Sequence, residues 1–89
     1  VRDPQVKAWV LITAASRCEC CDELAPFITV TGEPFLEVHH LRSLADGGSD
    51  TVGNTVALCP NCHRELHYGA NQIERREALY RKLPRLERE

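Results

Sequence analysis

Nowhere in these 89 residues does an apolar run approach the roughly 18 residues that a membrane span requires. The N-terminal stretch also lacks the charged, then apolar, then small-residue order of a secretory signal. Both absences lead to the expectation of a soluble, cytoplasmic protein with no membrane partner. Excess charge is small too: 11 Lys and Arg stand against 13 Asp and Glu, a formal net charge of −2, which does not announce a chain that binds nucleic acid through its bulk charge. Aromatic residues are scarce, with one Trp, two Tyr and two Phe. No aromatic platform for stacking bases is visible, nor a long basic stripe, a recognition helix, an internal repeat, a linker or a low-complexity segment.

What remains is the composition of an ordinary globular chain, 43% hydrophobic and 27% charged. Residues 1–89 make one domain, of a size that is marginal without a metal or a set of disulfides to staple it. Five cysteines are present; the odd count and the missing export signal favour metal over disulfides. Residues 1–63 carry four Lys or Arg against eight acids, whereas residues 64–89 carry seven against five. The positive excess therefore lies in the last third, and bound cations would add to it.

Asp3-Pro4 is a helix start, Asp as N-cap and Pro at the first helical position. The predicted helix runs from about Pro4 to Ala15, with Val6, Trp9, Val10 and Thr13 on one face and Trp9 in the core. A short strand is predicted over Pro26–Thr31 and a firmer one over Phe35–Leu41. Asp46-Gly47-Gly48-Ser49-Asp50 reads as a loop and Thr55–Leu58 as a returning strand. A helix from about Pro60 to Tyr68 should end with Gly69 at C′. A last helix from about Asn71 to Leu83, carrying Ile73, Leu79, Tyr80 and Leu83, should stop at Pro84, with Glu77 and Arg81 paired on its surface. The expected divisions are 1–16 (N-terminal helix), 17–69 (core) and 70–89 (C-terminal helix).

Cys18-x2-Cys21 and Cys59-x2-Cys62 are two knuckles with 37 residues between them. Four thiolates suit tetrahedral Zn²⁺ and leave no open position, so this site is structural and fixes both ends of the hairpin between the knuckles. Cys20 is expected to be a bystander. All four histidines lie in two short clusters, His39-His40 and His63-x3-His67. On an extended strand His39 and His40 face opposite ways, so one suits a metal ligand and the other a free base. His63 and His67, four apart on a helix, share a face and can present two imidazoles to one ion. Three nitrogen ligands with open positions form the pattern of a catalytic metal.

His39-His40, Gly47-Gly48, Asn54, Leu58-Cys59-Pro60-Asn61-Cys62-His63 and His67, preceded by the Cys18-x2-Cys21 knuckle, together resemble the HNH endonucleases and their ββα-metal fold. The resemblance runs from about Arg17 to Tyr68. Phe35–His40 together with His67–Ala70 looks most like the C-terminal nuclease domain of McrA-like, modification-dependent restriction enzymes. It implies a small α+β fold: a ββα-metal core stapled by a four-cysteine zinc site and flanked by N- and C-terminal helices. It implies metal-dependent hydrolysis of DNA phosphodiester bonds with little intrinsic sequence specificity. By the same resemblance His40 would be the general base, Asn54 the residue that fixes the loop so that His40 points at the attacking water, and His39, His63 and His67 the ligands of one divalent ion (Mg, Mn, Ni, Co or Zn). His63 belongs both to that ligand set and to the name-giving triad with His40 and Asn54.

The helix from Pro60 to Tyr68 is the element expected to face DNA, with Arg64, Arg75, Arg76, Arg42 and Arg17 as candidates for phosphate contact, which carries no sequence information. Target choice would then come from an upstream recognition module outside these residues. Cutting both strands with one site per domain requires either a homodimer or two sequential nicks. Two other readings compete: a non-catalytic zinc module binding DNA or protein, for which His40 and Asn54 would be superfluous, and a thiol redox domain built on Cys18 and Cys21, which leaves four histidines unexplained.

Overall fold

The computed structural model describes residues 2–89. Helix α1 (Pro4–Ala14) starts where the Asp3 carboxylate accepts the Gln5 N–H at 2.8 Å and ends at Ala15, which turns left-handed with φ 53°. Its apolar face is Val6, Val10, Leu11 and Ala14, with Val10 fully buried against the core. Trp9 is not in that core, contrary to the periodicity, and Thr13 is exposed. Trp9 remains 44% exposed and lies under the Arg85 guanidinium, 5.4 Å from the ring centroid. The sheet beneath α1 has only two short strands, so it receives the valine ridge of the helix; the indole lies at the rim, where it shields a cation.

Residues 17–36 hold their shape by isolated pairings. Arg17 bridges Leu24, and Ile28 bridges Pro34. The strand expected over Pro26–Thr31 does not form. Phe27, Ile28 and Val30 are exposed there at 53%, 63% and 105%, because that ribbon has neither a neighbouring strand nor a face to bury.

The sheet is one antiparallel pair, β1 (Glu37–His40) and β2 (Thr55–Leu58), with Glu37 opposite Leu58, Val38 opposite Ala57, His39 opposite Val56 and His40 opposite Thr55. The first strand is shorter than the expected Phe35–Leu41. A lone two-stranded ribbon is marginal in water, and here the outer edge of β2 is covered. Glu19 donates its main-chain N–H to Ala57 O at 2.9 Å, and its Oε1 accepts the Ala57 N–H at 3.0 Å. Arg85 donates to Thr55 O at 2.9 Å and forks onto both Glu19 carboxylate oxygens at 2.8 and 2.7 Å. The edge thus has its hydrogen bonds without a third strand.

Helix α2 (Pro60–Tyr68) has Cys59 as N-cap and Pro60 in its first turn. Gly69 follows it as the C-cap, in an extended conformation with φ −75° and ψ 150°, and not at the C′ position expected. A Cβ there would meet Glu65 O at 2.7 Å, so close approach is what requires glycine. Helix α3 (Gln72–Lys82) buries Leu79 and half-buries Tyr80. Ile73, placed on its apolar face by the sequence, is 65% exposed, and Glu77 pairs with Arg88 at 2.6 Å in place of Arg81. The chain folds back after Pro84, so a residue eleven positions away reaches Glu77 with a bidentate fork, which beats a single helical i, i+4 contact. This tail then runs along the loop between the strands: Glu87 N–H donates to Gly53 O at 2.8 Å, and Glu89 accepts from Ser49 N–H at 2.8 Å. Among the described residues no helix is long and apolar enough to cross a membrane.

Candidate metal centres and active site

The sulfurs of Cys18, Cys21, Cys59 and Cys62 lie within 4.8 Å of one another. Tetrahedral zinc with Zn–S of about 2.3 Å sets its sulfurs roughly 3.8 Å apart, so the four side chains fit the ion. Burial, and next the neighbouring Cys18, push the Cys62 thiol well above the ordinary thiol range. Four thiolates can share so small a volume only around a cation, which is the chemistry this donor set suits. The Cys62 N–H donates to Cys59 Sγ at 3.4 Å, so one sulfur both caps α2 and belongs to the cluster. Cys20 lies outside it.

The second cluster is His39, His63 and His67, with ring nitrogens again within 4.8 Å of one another. His39 comes from β1, and His63 and His67 from consecutive turns of α2. The Nε2 atoms of His63 and His67 are 3.2 Å apart. Two imidazoles on one first-row ion, at about 2.0–2.1 Å each, would be separated by roughly 3.0–3.4 Å. The far nitrogen of His63, Nδ1, meets Glu37 Oε1 at 3.0 Å, a carboxylate–histidine contact that orients a ligand and raises its basicity. Burial, then the like charges of His63 and His67, push His39 down to about 4. A neutral imidazole among its neighbours is a ready nitrogen donor for a divalent cation.

His40, next along β1, turns away from this cluster and is 9% exposed. Its Nε2 is 2.8 Å from Asp50 Oδ1. The other carboxylate oxygen of Asp50 accepts the main-chain N–H of Asp3 at the start of α1. Those two contacts, His40 first, hold the Asp50 carboxyl below its usual range. Asn54 is fully buried and works as a clamp. Its Nδ2 donates to Arg42 O at 2.9 Å and Ser49 O at 2.8 Å, while its Oδ1 accepts the Arg42 N–H at 3.0 Å. One amide thereby closes the loop whose next residue is Asp50. The paired glycines serve the same loop. Gly47 is left-handed at φ 87°, and a Cβ on Gly48 would lie 1.9 Å from Arg42 O.

His39, His40, His63 and His67 all line one open groove of about 360 Å³, with Arg2, Val38, Ser43, Leu44 and Ala45. Of the arginines considered for phosphate contact, Arg64 and Arg76 are exposed. Arg75 is 3.3 Å from Glu65, Arg42 donates to Asp46 O at 3.0 Å, and Arg17 to Asp22 O at 3.0 Å. Sequence reading missed Glu37, Asp50, Glu19 and Arg85. For Glu37 the alternation of a strand was a usable signal, since it lies two residues before His39 on the same face. For the other three, contacts 10 to 66 residues apart leave no local trace.

A family model for HNH endonucleases matches residues 18–69, the segment that contains both clusters, His40 and Asn54. The chain belongs to the HNH endonuclease family, with a small α+β fold whose two-stranded sheet and helix carry the clustered histidines. Over 88 residues it is 54% identical to the Type IV methyl-directed restriction enzyme EcoKMcrA of Escherichia coli (strain K12), a match covering 99% of this chain and 32% of that protein. The solved structure of the Type IV phosphorothioation-dependent restriction endonuclease ScoMcrA superposes with a TM-score of 0.80 at 40% identity, covering 91% of this chain and 16% of that one. The modification-dependent TagI restriction endonuclease superposes with a TM-score of 0.67 at 33% identity, covering 79% and 24%. The chain thus spans about a third or less of these relatives.

Proposed function

We propose that these 89 residues form a single divalent-metal-dependent nuclease domain that hydrolyses DNA phosphodiester bonds, the cleavage part of a restriction-type enzyme. The observation that carries this reading is the convergence of His39, His63 and His67 beside His40 in one open groove. A domain that used zinc only as a staple would have no use for a second, open cluster of imidazoles. Such an enzyme acts where the DNA is, in the cytoplasm.

His39, His63 and His67 hold the catalytic ion, and Cys18, Cys21, Cys59 and Cys62 hold the structural zinc. When bound, the catalytic ion offsets the charge that grows on the phosphate and stabilises the leaving 3′ oxygen. Imidazole donors accept Mn, Ni, Co and Zn as well as Mg. Glu37 holds Nδ1 of His63 and so leaves its Nε2 turned toward His67, where the two rings would hold the ion together. His40 takes the proton from the attacking water, the work of a general base. Asn54 holds the 42–49 loop closed around that histidine. Exposed Arg64 on α2 and Arg76 on α3 supply non-specific phosphate contact. Choice of target belongs to parts of a longer protein such as its relatives have, and cleavage of both strands needs a second copy or a second encounter.

The test is supercoiled plasmid incubated with the chain and a panel of divalent ions. Cleavage should require an added ion, stop with EDTA, and be abolished by His40→Ala, while that variant retains wild-type zinc content and melting temperature. A His40→Ala protein that cuts at the wild-type rate would sink the assignment of the base.

A further inference from the structure

Asp50 contributes no metal ligand, yet it makes the one side-chain hydrogen bond to the His40 ring among the described residues. Its two oxygens face two different groups. Oδ2 receives the Asp3 main-chain N–H, which can only donate, and Oδ1 is 2.8 Å from His40 Nε2. An ionised carboxylate can only accept, so both partners must donate and the hydrogen of a neutral His40 must be on Nε2. We infer that Asp50 is a positioning residue, which locks His40 in the Nε2–H tautomer and leaves Nδ1 as the nitrogen that receives the proton from water. The inference rests on the reading of His40 as the base.

It also gives Asn54 a path of action. The Asn54 amide holds the Ser49 carbonyl at 2.8 Å, and Ser49 is joined to Asp50. On the far side Glu89 accepts from both the N–H and the hydroxyl of Ser49. Asp50 is therefore gripped through the preceding residue by a buried amide and the Glu89 side-chain carboxylate, and through its own carboxylate by the start of α1. A side chain on a loop becomes as fixed as one on a strand. The order of action is Asn54 to Ser49, Ser49 to Asp50, Asp50 to His40.

Asp50→Asn is the discriminating variant. It keeps size and shape, but its amide has one oxygen for two donors, so the Nε2–H tautomer is no longer enforced. With the chain labelled with ¹⁵N-histidine and zinc as the sole added metal, long-range ¹H–¹⁵N correlation in alkaline buffer should report His40 with Nε2 protonated and Nδ1 bare. In Asp50→Asn the signature should shift toward Nδ1 protonation. On plasmid, kcat should fall on the order of 10- to 1000-fold with KM little changed, because the loss falls on proton transfer and not on DNA binding. Zinc content and melting temperature should stay near wild type. His40→Ala, assayed alongside, separates the two claims. If it is inactive while Asp50→Asn keeps wild-type kcat, the role of Asp50 is refuted and the base stands; if it is active, the base falls and this inference with it. A wild-type spectrum with Nδ1 protonated refutes the inference whether or not the variant folds.

Discussion

Replacing Glu19 by alanine should be among the most damaging single changes in this domain, although Glu19 touches no metal and no substrate. Its side chain is 7% exposed, and that of its partner Arg85 17%. The carboxylate accepts two Arg85 bonds of 2.7 and 2.8 Å and the Ala57 N–H at 3.0 Å. Removing one member of a buried ion pair costs about 3–5 kcal/mol, because the other charge is left without compensation. Arg85 would keep the carbonyls of Val52 and Thr55, which brings the expectation to the lower end of that range. The fully buried Ala57 N–H would lose its acceptor, which adds about 1–3 kcal/mol before relaxation. About 4 kcal/mol is the result, against a total stability of roughly 4–13 kcal/mol for a domain of this length at 0.05–0.15 kcal/mol per residue. Urea unfolding followed by far-UV circular dichroism, in zinc-containing buffer, is the assay. Asp22→Asn is the control: Asp22 pairs with Lys82 at 2.7 Å, but its side chain is 69% exposed, and asparagine tolerates the left-handed backbone at φ 66°, so loss of the charge should cost under about 1 kcal/mol. Glu19→Gln, which keeps an acceptor for Ala57, should fall between them. If Glu19→Ala loses no more than Asp22→Asn, the idea that this pair covers the edge of β2 is refuted.

Three other outcomes follow from the same geometry. Stripping the four-cysteine site with a strong chelator, or Cys59→Ser, should lower the melting temperature sharply, because the cluster ties the 18–21 knuckle to the start of α2; an unchanged melt would count against a structural ion. Glu37→Gln should weaken binding of the catalytic ion about 10- to 100-fold by calorimetric titration while leaving the zinc site loaded, since it removes the charged partner of His63 and no ligand. Gly48→Ala should cut plasmid nicking strongly and destabilise the 42–50 loop, because its Cβ would lie 1.9 Å from the Arg42 carbonyl; wild-type nicking by this variant would show that the loop can move without consequence.

Much of the site could be read from the order of residues. Adjacent histidines on an alternating strand must part company, and histidines four apart on a helix must meet; His39, His63 and His67 converge while His40 turns away. Cys-x2-Cys twice, with Pro after the first cysteine of the second pair, defined both the cluster and the start of α2. β2 and α2 have the expected bounds, and α1 and α3 come within a residue of theirs at each end, since caps and prolines are local chemistry. Three of the misplacements share one cause. Trp9, Ile73 and the ribbon around Ile28 were placed by hydrophobic periodicity, which states which residues could share a face but not whether the molecule has a surface to cover it.

The sequence by itself determined the two clusters of donor side chains, the strand that separates His39 from His40 and the helix that unites His63 with His67, because backbone geometry fixes side-chain direction over a few residues. Only the tertiary structure decided what stands behind each of them. Glu37 backs His63, Asp50 backs His40, Asn54 closes the loop, and Glu19 with Arg85 covers the open edge of β2. For Asp50, Asn54, Glu19 and Arg85 those bonds depend on where the loops and the C-terminal tail come to rest. A carboxylate becomes a partner only when folding brings a donor within about 3 Å of it, and no spacing along the chain encodes that distance.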